Sequence, residues 1–86
     1  MLFGEFLVAK NIIRPEDVEE ALAIQKAQPE VKFGEALVTL ELFDYDKLTI
    51  YIQQYIKEAG AELSEIETLL SQEQADALIR SLQDQG

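Results

Sequence analysis

Any chemistry here has to be done by carboxylates, hydroxyls and a few amines, because the 86 residues include neither His nor Cys. Without those two residue types no Ser-His-Asp or Cys-His nucleophile pair can be assembled, no zinc site of the usual nitrogen and sulfur kind can form, and no disulfide can staple the chain. Glu16 with Glu20 and Glu62 with Glu65 are carboxylate pairs at helical spacing, the arrangement that general acid-base catalysis uses. Such catalysis needs a pocketed carboxyl with a displaced pKa, whereas both pairs lie in polar stretches that read as solvated faces. An enzyme confined to Ser, Lys and carboxylates in so small a core is not expected. Tyr45, Tyr51 and Tyr55 are candidates of another kind, since amphipathic aromatic side chains are common anchors of protein interfaces. Tyr51 and Tyr55 share one helical face with Leu48 and Ile52. They either complete the core with their hydroxyls reaching solvent or form half of an interface.

The elements that must position these groups belong to one small domain spanning residues 1–86, with 48% apolar residues. A chain of this length buries only roughly 60 to 65% of the surface it exposes when unfolded, which leaves little room for a deep cleft. Asp and Glu number 17 against 7 Lys and Arg, a formal charge of -10 that repels polyphosphate, and no run of basic residues offsets it. Nucleic acid is not an expected partner. No window approaches the roughly 20 apolar residues of a membrane span, and Met1 to Ile13 lacks the charge order of a secretory signal, so the expected location is cytoplasmic. Residues 58–86 carry seven acidic side chains and one basic, Arg80, so this segment could steer a basic partner.

At an offset of 30 the chain matches itself: Phe3-Gly4-Glu5-Phe6-Leu7-Val8 aligns with Phe33-Gly34-Glu35-Ala36-Leu37-Val38, five of the six positions being identical. The pairing continues by type through Ile12 with Leu42, Ile13 with Phe43, Val18 with Leu48 and Leu22 with Ile52. This is an internal duplication, with repeats at about 2–28 and 32–59 and an acidic helical segment at about 61–86. Each repeat predicts a short helix, a turn and a longer helix. Asn11 suits the left-handed residue past the first short helix, and Pro15 the first turn of a helix with Val18, Ala21, Leu22 and Gln25 on its apolar side; Pro29 ends it. Asp44 is a good N-cap for a helix carrying Leu48, Tyr51, Ile52 and Tyr55, with Gly60 as its terminator. Ser64 with Glu67 and Ser71 with Gln74 fit capping boxes and predict helices over about 64–70 and 72–83. The expected fold is all-α, five or six short helices built on a tandem helix-turn-helix repeat plus C-terminal helices.

Each copy resembles the motif found twice in MshEN domains, the N-terminal domains of type II secretion and type IV pilus assembly ATPases. The first copy, Leu2 to Gln25, supplies Gly4, Leu7, Val8, Ile12, Ile13, Val18, Leu22 and Gln25 at the motif's spacing, and the second, Lys32 to Tyr55, supplies Lys32, Gly34, Leu37, Val38, Leu42, Phe43, Leu48 and Ile52. The resemblance covers about two-thirds of the chain. It implies a small helical domain attached to an ATPase or signalling partner, some members binding cyclic di-GMP and others serving for docking. In binding members the leading Arg, the first Gly and the final Gln of the motif touch the ligand. Here the leading Arg is Leu2 in one copy and Lys32 in the other, the mid-motif Gly is Asn11 and Glu41, and the final Gln is Gln25 and Tyr55. Losing a bidentate Arg contact costs about 1.5 to 3 kcal/mol per site, roughly ten- to a hundredfold in affinity.

The leading expectation is therefore a non-enzymatic adaptor or regulatory domain of bacterial secretion, pilus or signalling machinery, without a cofactor. Its partner would be a protein such as a secretion or pilus ATPase. Apolar residues left over after packing should form an exposed patch, and a homodimer is one way to cover it. The alternative is a cyclic di-GMP sensor with Gly4, Asn11, Gln25, Lys32 and Gly34 lining the site. Gly4 and Gly34 also read as close helix contacts, Gln25 as a solvated helix residue, Lys32 as a surface charge, and Phe3 and Phe33 as core.

Overall fold

Asn11 and Glu41 occupy equivalent places in the two copies, and both have φ of 60°. In the computed structural model, which describes residues 2–84, each lies just past a short helix, α1 (Phe3–Ala9) or α3 (Phe33–Thr39). The Asn11 amide donates to the Val8 carbonyl at 3.0 Å and the Ile12 amide to the Leu7 carbonyl at 2.9 Å. Glu41 to Val38 and Leu42 to Leu37 repeat the pair at 2.9 and 3.4 Å. A left-handed residue thus turns two amides back onto carbonyls that the helix leaves unbonded. Asn11 takes the conformation its type favours. Glu41 takes it at a cost of about 1–2 kcal/mol, the usual penalty for a side chain with a Cβ. Glu41→Gly is expected to raise stability by about 0.5–1 kcal/mol once the greater freedom of unfolded glycine is subtracted, and Asn11→Gly by less. Thermal unfolding followed by circular dichroism checks both.

Each short helix leads into a longer one, α2 (Pro15–Ala27) or α4 (Tyr45–Ala59), and the chain continues through a 3-10 helix (Leu63–Thr68) into α5 (Gln72–Asp84). The fold is all-α, and no strand occurs among the described residues. The short segments start at Phe3, Phe33 and Leu63, thirty residues apart each time. The C-terminal segment, the third unit, thus has the same order of a short helix and a longer one, with Leu63-Ser64-Glu65 thirty residues after Phe33-Gly34-Glu35, although its long helix starts nine residues after Leu63 and not twelve. Its first helix starts one residue earlier than the capping pattern predicts and tightens to 3-10 geometry. Glu62 holds the N-cap position and the Ser64 hydroxyl donates to the Glu62 carboxylate at 3.4 Å, so the box predicted at Ser64 does not form. Ser71 does precede α5, with its hydroxyl 3.2 Å from the Gln74 side-chain oxygen.

The long helices are capped by two halves of one device. In α2 the Asp17 carboxylate accepts from the Arg14 amide at 2.8 Å, and in α4 the Asp44 carboxylate accepts from the Lys47 amide at 2.9 Å. These are the same two positions of the repeat with donor and acceptor exchanged. Asp17 is 5% exposed and keeps its charge partnered through Arg14, 3.5 Å away. Gly60 closes α4 with φ of 68°, as its type predicts.

The core gathers Leu7, Leu37, Leu48, Ile52, Ile66 and Leu70 from all three units. α1 packs on α4, α2 on α3, and the 3-10 helix on α5. Lys10 at the end of α1 pairs with Glu58 near the end of α4. Tyr55 belongs to this core rather than to a surface: it is 1% exposed, with the rings of Phe3 and Phe6 centred 5.3 and 5.4 Å away. Tyr45 and Tyr51 are half-buried, and the Tyr51 ring meets Phe43 edge to face at 5.1 Å. Among the described residues no helix is long and apolar enough to cross a membrane.

Candidate functional site

Where α1 begins, the surface opens into a groove of about 280 Å³. All three units build it. The start of α1 contributes Leu2, Phe3 and Gly4, α2 contributes Val18, Leu22 and Gln25, α3 contributes Phe33, and the 3-10 helix and its exit contribute Thr68 and Leu69. Glu5, Tyr55 and Glu65 complete the lining.

The groove exists because the two long helices are covered unequally. Apolar spacing predicts Val18, Ala21, Leu22 and Gln25 on the inner side of α2, yet only Ala21 is fully buried and Leu22 is 52% exposed. The matching positions of α4, Leu48, Ile52 and Tyr55, are all shut inside. α4 has the rings of α1 on one side and the third unit on the other, where the Tyr55 hydroxyl donates to Glu65 at 3.3 Å. α2 packs chiefly against α3, and Leu22 on its outer stripe stays half in solvent. Leu2, 69% exposed at the entrance, adds a second uncovered aliphatic side chain.

Five positions were candidates for contact with a ligand, and the structure brings two of them together. Gly4 and Gln25 both line the groove. Gln25 is half-buried rather than solvated, and its side-chain amide donates to the Val31 carbonyl at 3.2 Å, fastening the link between α2 and α3. Asn11 is at the opposite end of α1, where it forms the turn. Lys32 caps α3, half-buried, with its amide donating to the Glu35 carboxylate at 3.0 Å, and its side chain is not part of the groove wall. Gly34 faces main chain: a Cβ built on it would lie 2.4 Å from the Leu69 carbonyl oxygen. The third unit occupies the surface a ligand would need at Gly34, so the two glycines of the duplication have different environments. Phe3 is core as predicted, whereas Phe33 is half-buried and forms a groove wall.

Several polar groups around the groove make internal hydrogen bonds. Glu5 accepts from the Leu2 amide at 2.8 Å, Thr68 donates to the Glu65 carbonyl at 2.7 Å, and Glu65 receives the Tyr55 hydroxyl. Burial, then the charge and hydrogen bond of Glu65, and then the charge of Glu5 push the Tyr55 hydroxyl above its ordinary pKa. Burial and the charge of Glu35 do the same to Tyr45 outside the groove. No Lys or Arg lines the groove, and no cluster of three metal-ligating side chains occurs among the described residues. Leu22, Phe33 and Glu5 were not singled out as site residues by spacing, and Glu65 only as half of a carboxylate pair with Glu62. The one signal available was Leu2, an aliphatic residue where the resembled motif has a cation. No family model matches the chain, and neither the curated proteins nor the solved structures include a significant match to it.

Proposed function

We propose that the chain is a non-enzymatic helical interaction domain that acts as an adaptor or regulatory module. The observation that carries this reading is the groove over α2, an apolar face left open where its counterpart on α4 is closed. The hydroxyls and carboxylates around it take part in internal hydrogen bonds, which supports a binding role over a catalytic one. The resemblance of the repeats to MshEN domains supports a place in bacterial secretion, pilus or signalling machinery, with an assembly ATPase or signalling protein as partner and the cytoplasm as its location. A homodimer is disfavoured because two copies would each bring a charge of -10.

A second reading, a cyclic di-GMP sensor, is favoured by Gly4 and Gln25 lining one groove. The lining weighs against it. Two carboxylates and no cation line the space where a dianion would lie. Isothermal titration calorimetry with cyclic di-GMP is expected to give no saturable heat up to about 0.1 mM ligand. Micromolar binding that disappears in Leu22→Glu, which places a carboxylate in the groove wall, would establish the sensor and remove the adaptor-only reading.

A further inference from the structure

We propose that the groove takes a short basic amphipathic segment of a partner protein, its aliphatic side chains seated between Leu2, Val18, Leu22 and Phe33 and a Lys or Arg set against Glu5 and Glu65. This rests on the interaction-domain reading and gives that reading a ligand class.

Three observations lead to it. First, the wall of the groove is apolar, with Val18 and Leu22 of α2 at helical spacing beside Leu2 and Phe33, while the equivalent stripe of α4 is buried in the core. A segment with large aliphatic side chains at helical spacing is therefore the kind of object this face accepts. Second, the groove is open along one side and has room for a few side chains, about 280 Å³. Third, the charge around it is of one sign. Glu5 and Glu65 each use an oxygen on an internal bond, and a carboxylate accepts more than one, so both retain capacity for a donor from outside. The wider field of a chain at -10 attracts a cationic segment and repels both a second copy and an acidic one.

The test is a selection of random peptides displayed on phage against the intact chain, followed by affinity measurement of the enriched peptides on three proteins: the wild type, Leu22→Glu and Leu22→Lys. Leu22 is half in solvent, so both variants are expected to fold, which circular dichroism checks. Enriched peptides are expected to carry two large aliphatic residues three or four apart with Lys or Arg beside them. Both variants are expected to bind them about tenfold more weakly, the loss that follows from removing one aliphatic contact. Amide shift changes in the wild type should centre on Gly4, Leu22 and Gln25. Tighter binding to Leu22→Glu would show that the attraction is charge alone and overturn the proposal. Enrichment of acidic or purely polar peptides, or of none, would overturn it too. So would a wild-type dimer, seen by sedimentation, that Leu22→Glu dissolves, since the occupant would then be a second copy. Saturable cyclic di-GMP binding would bring down the interaction reading itself, whereas a chain that binds neither the nucleotide nor any peptide loses only the groove as its docking site.

Discussion

Gly34→Ala is expected to lower the unfolding midpoint by about 10–20 °C, while the same change at Gly4 leaves it within a few degrees of the wild type. The two glycines sit in nearly identical sequence, Phe-Gly-Glu, at the same place in a short helix. Their neighbours separate them. A Cβ at Gly34 would lie 2.4 Å from the Leu69 carbonyl oxygen and 3.2 Å from a Leu48 methyl, so main chain of the third unit has to retreat. Leu69 and Leu70 are buried in the shared core, and shifting them disturbs all three units at a cost of about 3 kcal/mol, at the upper end of what overpacking takes. A Cβ at Gly4 meets the tip of Phe33 at 3.1 Å and a Val18 methyl at 3.4 Å. The Phe33 ring borders the open groove and can swing aside. Replacing a helical Gly also gains about 0.5–1 kcal/mol of backbone entropy, which offsets the crowding. Thermal melts of the two single variants test the contrast. Equal losses would mean that both glycines serve one common contact, contrary to the packing described.

The same pair shows where sequence reasoning reaches its limit. The duplication, the left-handed turn at Asn11, the Asp44 cap and the Gly60 terminator were all readable, because each depends on residues within a few positions of one another. The third unit was readable only as two separate helices. Leu63-Ser64-Glu65 has lost the Phe-Gly pair that makes the first two units recognisable, and it keeps just the spacing and the glutamate. Of the groove, Gly4 and Gln25 were readable through the repeat, but its apolar wall was not. Val18 and Leu22 present the same apolar rhythm as Leu48 and Ile52, and which stripe ends in the core depends on the element that arrives beside it in space. Gln25 and Tyr55 hold matching positions, and their types agree with the outcome: the large ring went to the covered face and the amide to the open one. That correspondence becomes informative only once the faces are known.

Tyr55→Ala is expected to remove about 3–5 kcal/mol of stability, most of what a domain of this size has. The ring joins all three units, contacting Phe3 and Phe6 of the first and, through its hydroxyl, Glu65 of the third. Its loss leaves a cavity at the meeting point, and near-ultraviolet circular dichroism should show side-chain packing weakened even where helix content persists. Tyr55→Phe isolates the hydroxyl. It keeps the ring contacts and loses a hydrogen bond to a carboxylate, so at neutral pH it should cost about 1 kcal/mol. Alkaline pH then changes the comparison. Burial first, then the charge and hydrogen bond of Glu65 and the charge of Glu5, hold the Tyr55 pKa above the ordinary 10.0. A pKa raised by folding contributes stability that is complete below pH 10 and is lost as pH climbs through the folded value. The wild type must therefore surrender stability in that alkaline window, while the Phe variant has no phenol there to ionise. Tyr45, also raised, is common to both proteins and cancels in the difference. Urea unfolding at pH 7 and at about pH 11 should show the gap between wild type and Tyr55→Phe narrowing or reversing as pH rises. A gap that stays constant would mean that the hydroxyl ionises as freely in the folded chain as in the unfolded one, and that the junction of the three units is open to water.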